Sequence, residues 1–146
     1  LVARMAPEVH RWRGNGWRDE VSYDCFCDYE QPSIYNRTEV KAARKEHKCE
    51  ECRRTIRPGE SYELVFGMWE GEARTCKTCR HCLALREWVK AHVPCFCWAH
   101  GNIREDALQT AQSYAHEAPG LLFGAYRREV AIRRARAPGV REASRG

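Results

Sequence analysis

The nine cysteines among 146 residues are the side chains here best able to do chemistry, and their spacing narrows which chemistry. They fall into close sets: Cys25 and Cys27 in CFC, Cys49 and Cys52 in CEEC, Cys76, Cys79 and Cys82 in CKTCRHC, and Cys95 and Cys97 in a second CFC. Two thiols separated by two residues reach one ion from a single tight turn. Four thiolates at about 2.3 Å from Zn2+ close a tetrahedron with no open position, the signature of a structural site. Disulfides are the other explanation for such a density. The odd count, the tight CxC and CxxC pairs and the lack of an N-terminal apolar run resembling a secretion signal favour metal in a reducing, cytosolic setting. No run is long enough to span a membrane.

The elements around the cysteines are those needed to bring them together. CEECRRTIRPGE (49–60) holds one CxxC turn and a second turn at Pro58-Gly59. SYELVFGMW (61–69) alternates and is rich in aromatic and β-branched residues, so it reads as a strand. Glu70-Gly71 turns it into a hairpin with EARTCKT (72–78). CRHCLALREWVKAHV (79–93) reads as a helix, with Cys79, Cys82, Leu83, Arg86 and Val89 at three–four spacing and Pro94 as the stop. The expected fold is therefore α+β: a small zinc-stabilised domain with a treble-clef-like core, CxxC, hairpin, then CxxC opening a helix, followed by two further helices. The helix N-terminus would set backbone N–H groups and a positive dipole end against the sulfurs.

Two ligand registers fit the helix start, 76/79 and 79/82. The second is favoured, because Cys76 then ends the return strand, and the expected site is Cys49, Cys52, Cys79 and Cys82. His81 is a possible substitute ligand, read as a bystander. The two CxC pairs flank this unit. Cysteines two apart in extended chain point to one face, so Cys25, Cys27, Cys95 and Cys97 could close a second tetrahedron, with His100 able to replace one sulfur. The competing reading makes Phe26 and Phe96 core residues with incidental thiols. One zinc is expected, and two fit the nested scheme, which leaves Cys76 free.

The flanks are less defined. Residues 1–21 show no clear periodicity, and Arg13-Gly14-Asn15-Gly16 is a turn signal, so this part reads as a flexible basic extension carrying Trp12 and Trp17. The zinc-binding core spans 22–118. TEVKAARKEHK (38–48) is ambiguous between helix and extended chain. Asn102 with Glu105 resembles a capping box for a helix bearing Ile103, Ala107, Ala111, Tyr114 and Ala115 on one face. Residues 119–146 form a last helix and an arginine-rich tail, with Leu122, Tyr126, Val130 and Ala137 as the apolar face. The net charge is +5 and the excess is concentrated in the tail. Arg127, Arg128, Arg133, Arg134 and Arg136 are candidate nucleic-acid contacts; a solvated basic end is the plainer reading. Lys48, Arg53, Arg54, Lys77 and Arg80 around the CxxC motifs read first as charge compensation for thiolates.

HKCEEC, PGESYELVFGMWEG, KTCRHCLALREW and PCFCWAHGN, with the earlier CFCDYEQP, resemble in order the motifs of a set of small phage and prophage zinc-binding proteins of unassigned activity. The resemblance covers roughly 23–118. It implies a zinc-binding fold, ligation in the 79/82 register and a place in the cytosol of a bacterial host. Cys76 and the N-terminal extension depart from the pattern. The functional expectation is a non-catalytic binding module, slightly favoured to contact nucleic acid. The alternative is an inhibitor or adaptor aimed at a host defence or transcription complex, with Trp12, Trp17, Trp69 and Trp98 as candidate anchors. No membrane contact or small-molecule substrate is expected. An HNH-type nuclease is the minor alternative: residues 53–75 lack the histidine such a hairpin needs, and His100-Gly101-Asn102 comes after the helix.

Overall fold

The computed structural model describes residues 9–12 and 17–21 as backbone strands and residues 32–136 in full. Cys25, Cys27 and the tail beyond Arg136 lie outside the described residues, as do the side chains of Trp12 and Trp17. The fold is α+β. Strands β1 (Val9–Trp12) and β2 (Trp17–Val21) pair antiparallel, Trp12 opposite Trp17, on either side of the Arg13–Gly16 turn signal.

The main sheet has three antiparallel strands in the order β3 (Ile34–Val40), β6 (Tyr62–Trp69), β7 (Glu72–Cys79). Between β3 and β6 the chain makes a two-residue pair, β4 (His47–Lys48) with β5 (Thr55–Ile56), which closes the loop holding Cys49 and Cys52. The ambiguous 38–48 stretch is thus extended or looped, with no helix. Glu70 (φ 49°) and Gly71 (φ 78°) both adopt the left-handed conformation, as a two-residue hairpin turn that follows the strand twist requires. β7 therefore runs back along β6, Trp69 opposite Glu72 and Tyr62 opposite Cys79, and delivers Cys79 to the start of the first helix.

That helix, α1 (Arg80–His92), ends as Val93 and Pro94 leave helical geometry. It packs against α2 (Ile103–Ser113) and α3 (Leu121–Arg136). The core is continuous from Cys49, Cys52, Cys79 and Cys82 through Leu85, Val89 and Trp98 to Ile103, Ala107, Ala125 and Ile132. A second small cluster, Val65, Trp69 and Cys76 with Tyr35 against it, fills the other face of the sheet. None of the helices among the described residues is long and apolar enough to cross a membrane.

Two expectations are corrected here. Asn102 occupies the N-cap of α2 but makes no side-chain cap bond; its amide donates to Asp106 instead, at 2.9 Å. The α3 face is also rotated. The helix buries Leu121, Gly124, Ala125, Glu129 and Ile132, leaving Tyr126 and Val130 exposed. The reason is close approach. The Trp88 indole of α1 lies against Gly124, where a Cβ would meet Cζ2 at 2.1 Å, and its Nε1–H donates to the Leu121 carbonyl at 3.0 Å. Gly124 makes room for the indole, while Leu121 and Ile132 supply the bulk of the same buried face.

Candidate metal centre

Four sulfurs converge where the β4–β5 loop meets the N-terminus of α1. Cys49, Cys52, Cys79 and Cys82 place their Sγ atoms within 4.8 Å of one another, and all four side chains are buried. The Cys49–Cys82 separation is 3.8 Å and the Cys52–Cys79 separation 3.7 Å. A tetrahedron with metal–sulfur bonds of about 2.3 Å has edges of about 3.8 Å, so the donor set fits one tetrahedral ion.

The local backbone explains why the sulfurs meet. Arg53 takes a left-handed conformation (φ 64°), and its N–H donates to the Cys49 carbonyl at 3.0 Å, turning the chain tightly enough for Cys49 and Cys52 to face the same point. The Cys49 sulfur accepts N–H bonds from Glu51 at 3.4 Å and Cys79 at 3.3 Å. Such donors favour a thiolate.

Charge is divided unevenly among the thiols. Cys79 is held far below the ordinary thiol range by hydrogen bonds from Cys49, Cys52 and Cys82. Cys52 is lowered to about 7, chiefly by Cys49. Cys49 and Cys82 are pushed up, the first mainly by Cys52 and the second mainly by Cys49. Four adjacent thiols cannot all ionise unaided, and a bound cation is what lets them do so. Arg54 stands nearby; its guanidinium holds Glu60 at 2.7 and 3.2 Å and is kept charged first by that carboxylate and, against burial, by Cys79.

The other candidate ligands are elsewhere. Cys76 is sealed between Val65 and Trp69, its thiol pushed up to about 11 by burial. His81 lines a groove on α3. His100 packs against Tyr35 and Trp69, its Nε2 3.0 Å from the Tyr35 hydroxyl. Burial lowers its pKa to about 4. Cys95 and Cys97 bring their sulfurs to 3.5 Å, half-buried in the loop between α1 and α2. Their expected partners, Cys25 and Cys27, lie outside the described residues.

Glu51, inside the CxxC motif, carries a role with no local signal in the sequence. Its carboxylate reaches across 52 residues to accept the Ile103 N–H at 2.7 Å and also accepts the Gly101 N–H, so it caps α2 from the metal loop. Burial raises its pKa, opposed by those two donors. Behind the loop, Glu63 and Arg86 form a two-pronged buried ion pair at 2.7 Å for both bonds. Arg86 also lies 5.2 Å from the Trp98 ring centre.

The proposed contact residues sort by availability. Arg128 sits over the Trp88 ring, its Cζ 3.9 Å from the ring centre, and donates to the Gly124 carbonyl. Arg133 pairs with Glu129 at 3.4 Å, and Glu129 also holds Arg104 of α2. Arg127, Arg134 and Arg136 are exposed. Among the tryptophan anchors, Trp98 is buried, and so is Trp69, whose ring covers Gly67.

Comparison with known proteins finds no matching family model, no matching curated protein and no matching solved structure.

Proposed function

We propose that this chain is a zinc-stabilised, non-catalytic binding module built on a treble-clef-like core. The observation that carries the reading is the closed, buried set Cys49, Cys52, Cys79 and Cys82 at tetrahedral spacing. An all-thiolate tetrahedron suits Zn2+ and leaves no position for substrate. The metal's role is then to hold a small core together and present its outer surfaces. The proximity of the Cys95 and Cys97 sulfurs supports a second zinc shared with Cys25 and Cys27. The resemblance to phage and prophage proteins favours a bacterial cytosol as the setting.

Two partner classes are supported by separate observations. The exposed Arg127, Arg134 and Arg136 suit nucleic-acid phosphates. The apolar stripe beside them on α3 suits a protein, and the groove there makes the protein reading the stronger.

Native mass spectrometry of protein prepared without chelator tests the metal reading. Two zincs per chain, falling to one in the Cys95→Ser/Cys97→Ser variant, is the expected result. One zinc in the wild type removes the second site, and none removes the proposal. Capture from host lysate with and without nuclease then separates the partner classes.

A further inference from the structure

The outer face of α3 carries apolar side chains that the other described elements leave exposed, with Gln112 of α2 reaching the Tyr126 hydroxyl, to which it donates at 3.0 Å. Phe123 is 69% exposed, Tyr126 42% and Val130 40%. With Arg127 and Arg134 they follow the three–four spacing of one helical stripe. Together with His81 from the start of α1 they line an open groove of about 840 Å³. Aromatic and β-branched side chains exposed in one patch mark an interaction site more often than scattered surface residues do.

Charge decides what the groove would accept. No carboxylate lines it among the described residues. Glu129, the acidic residue of α3, faces inward and is held by Arg104 and Arg133. Arg127 lies 5.8 Å from the Phe123 ring centre, its charge set at the groove's edge. A second copy docking by the same stripe would place arginine against arginine. A nucleic acid would satisfy the arginines but would leave Val130 and the aliphatic floor against phosphate and sugar. A segment with both acidic and apolar side chains satisfies both.

We infer that this groove docks an acidic, amphipathic segment of a partner protein, laid along α3. The inference rests on the binding-module reading above. From Phe123 to Arg134 the stripe is about 16 Å long at 1.5 Å per residue, so the segment needs about three helical turns. Its apolar residues at i, i+3 or i+4, and i+7 meet Phe123, Tyr126 and Val130, and its carboxylates meet Arg127 and Arg134. Charge complementarity makes the association salt-sensitive.

The test is selection of random 16-residue peptides by messenger-RNA display on the full, zinc-loaded chain, with counter-selection on the Val130→Glu variant. Enrichment of acidic amphipathic sequences is expected. Their affinity should fall at least tenfold in Arg127→Glu/Arg134→Glu and recover for a peptide with lysines in place of its acids. Enrichment of basic or neutral sequences, or none above the counter-selected background, overturns the proposal. So does a chain that binds a single-stranded oligonucleotide through this face while ignoring the selected peptides. Hydrogen exchange on the free chain is the second measurement. Slow exchange over α3 that Val130→Glu releases would mean that the chain itself or a second copy already covers the groove, and that also overturns it. Zinc content, measured on every sample, fails separately if the binding-module reading is wrong.

Discussion

Replacing Arg86 with methionine should be among the most damaging single changes away from the cysteines. Arg86 is 2% exposed and Glu63 6% exposed, and two 2.7 Å bonds join them. Arg86→Met keeps most of the volume and the contact with Trp98 but leaves a carboxylate in the core without its two donors. Breaking a buried pair from one side costs about 3–5 kcal/mol. Arg37, 3.9 Å from Glu63 at the exposed edge, softens this only in part, so the lower half of that range, about 3–4 kcal/mol, is expected. In urea at fixed excess zinc, followed by tryptophan fluorescence, a denaturant slope of about 2 kcal/mol/M turns this into a midpoint lower by about 1.5–2 M. The double variant Arg86→Met/Glu63→Leu removes both charges and should recover most of the loss. Burial raises the Glu63 pKa, but the Arg86 bonds outweigh it and the net shift is downward. The pair's contribution is therefore present above pH about 4.5 and disappears as pH falls through the lower folded value. A cost under about 1 kcal/mol for Arg86→Met, or a double variant no better than the single, would refute the reasoning.

Three further outcomes are expected. His100 is buried and neutral, and a folded pKa of about 4 against 6.5 when unfolded means that stability is whole above pH 6.5 and falls by about 3 kcal/mol on the way to pH 4; His100→Gln should flatten that part of the pH profile relative to wild type. Gly124→Ala drives a methyl into Trp88 and should destabilise by about 1–3 kcal/mol, with a smaller cost in a Trp88→Phe background, both read by thermal unfolding. Cys76→Ser should lower stability through a buried hydroxyl yet keep the wild-type zinc count, whereas Cys79→Ser should lose a zinc, and native mass spectrometry distinguishes the two.

What the sequence revealed was local. The CxxC spacings, the Glu70-Gly71 turn and the helix from Arg80 are each encoded within a few residues, and the structure reproduces them. The four sulfurs meet in the 79/82 register, but Cys76 does not end the return strand: β7 runs on to Cys79, with Cys76 inside it opposite Val65. The misplaced features are those set by distant partners. Counting bulky apolar residues on α3 selects Leu122, Tyr126 and Val130, but the buried face runs through Leu121, Gly124, Ala125 and Ile132, because Trp88 needs the space that Gly124 leaves. Glu129 looks like a surface residue until Arg104 of another helix is seen beside it. Asn102 has the chemistry of a cap, yet the bonds come from Glu51, which no local pattern links to α2. Trp69 is the exception, because its partner is near: Gly67 lies two positions back on the same face of β6 and leaves the space that the indole fills.

The reach of Glu51 has a bearing on how the chain is made. Cys52 and Cys79 are 27 residues apart, and Glu51 and Ile103 are 52 apart. At about 5–20 residues per second, a ribosome delivers the first ligand pair roughly 1.5–5 s before the second, and the α2 backbone later still. During that interval Cys49 and Cys52 are an open dithiol facing the cell's thiol chemistry. The metal loop cannot close until the hairpin has emerged, nor α2 receive its cap until the loop is shaped, so the order of synthesis sets the order in which these contacts can form.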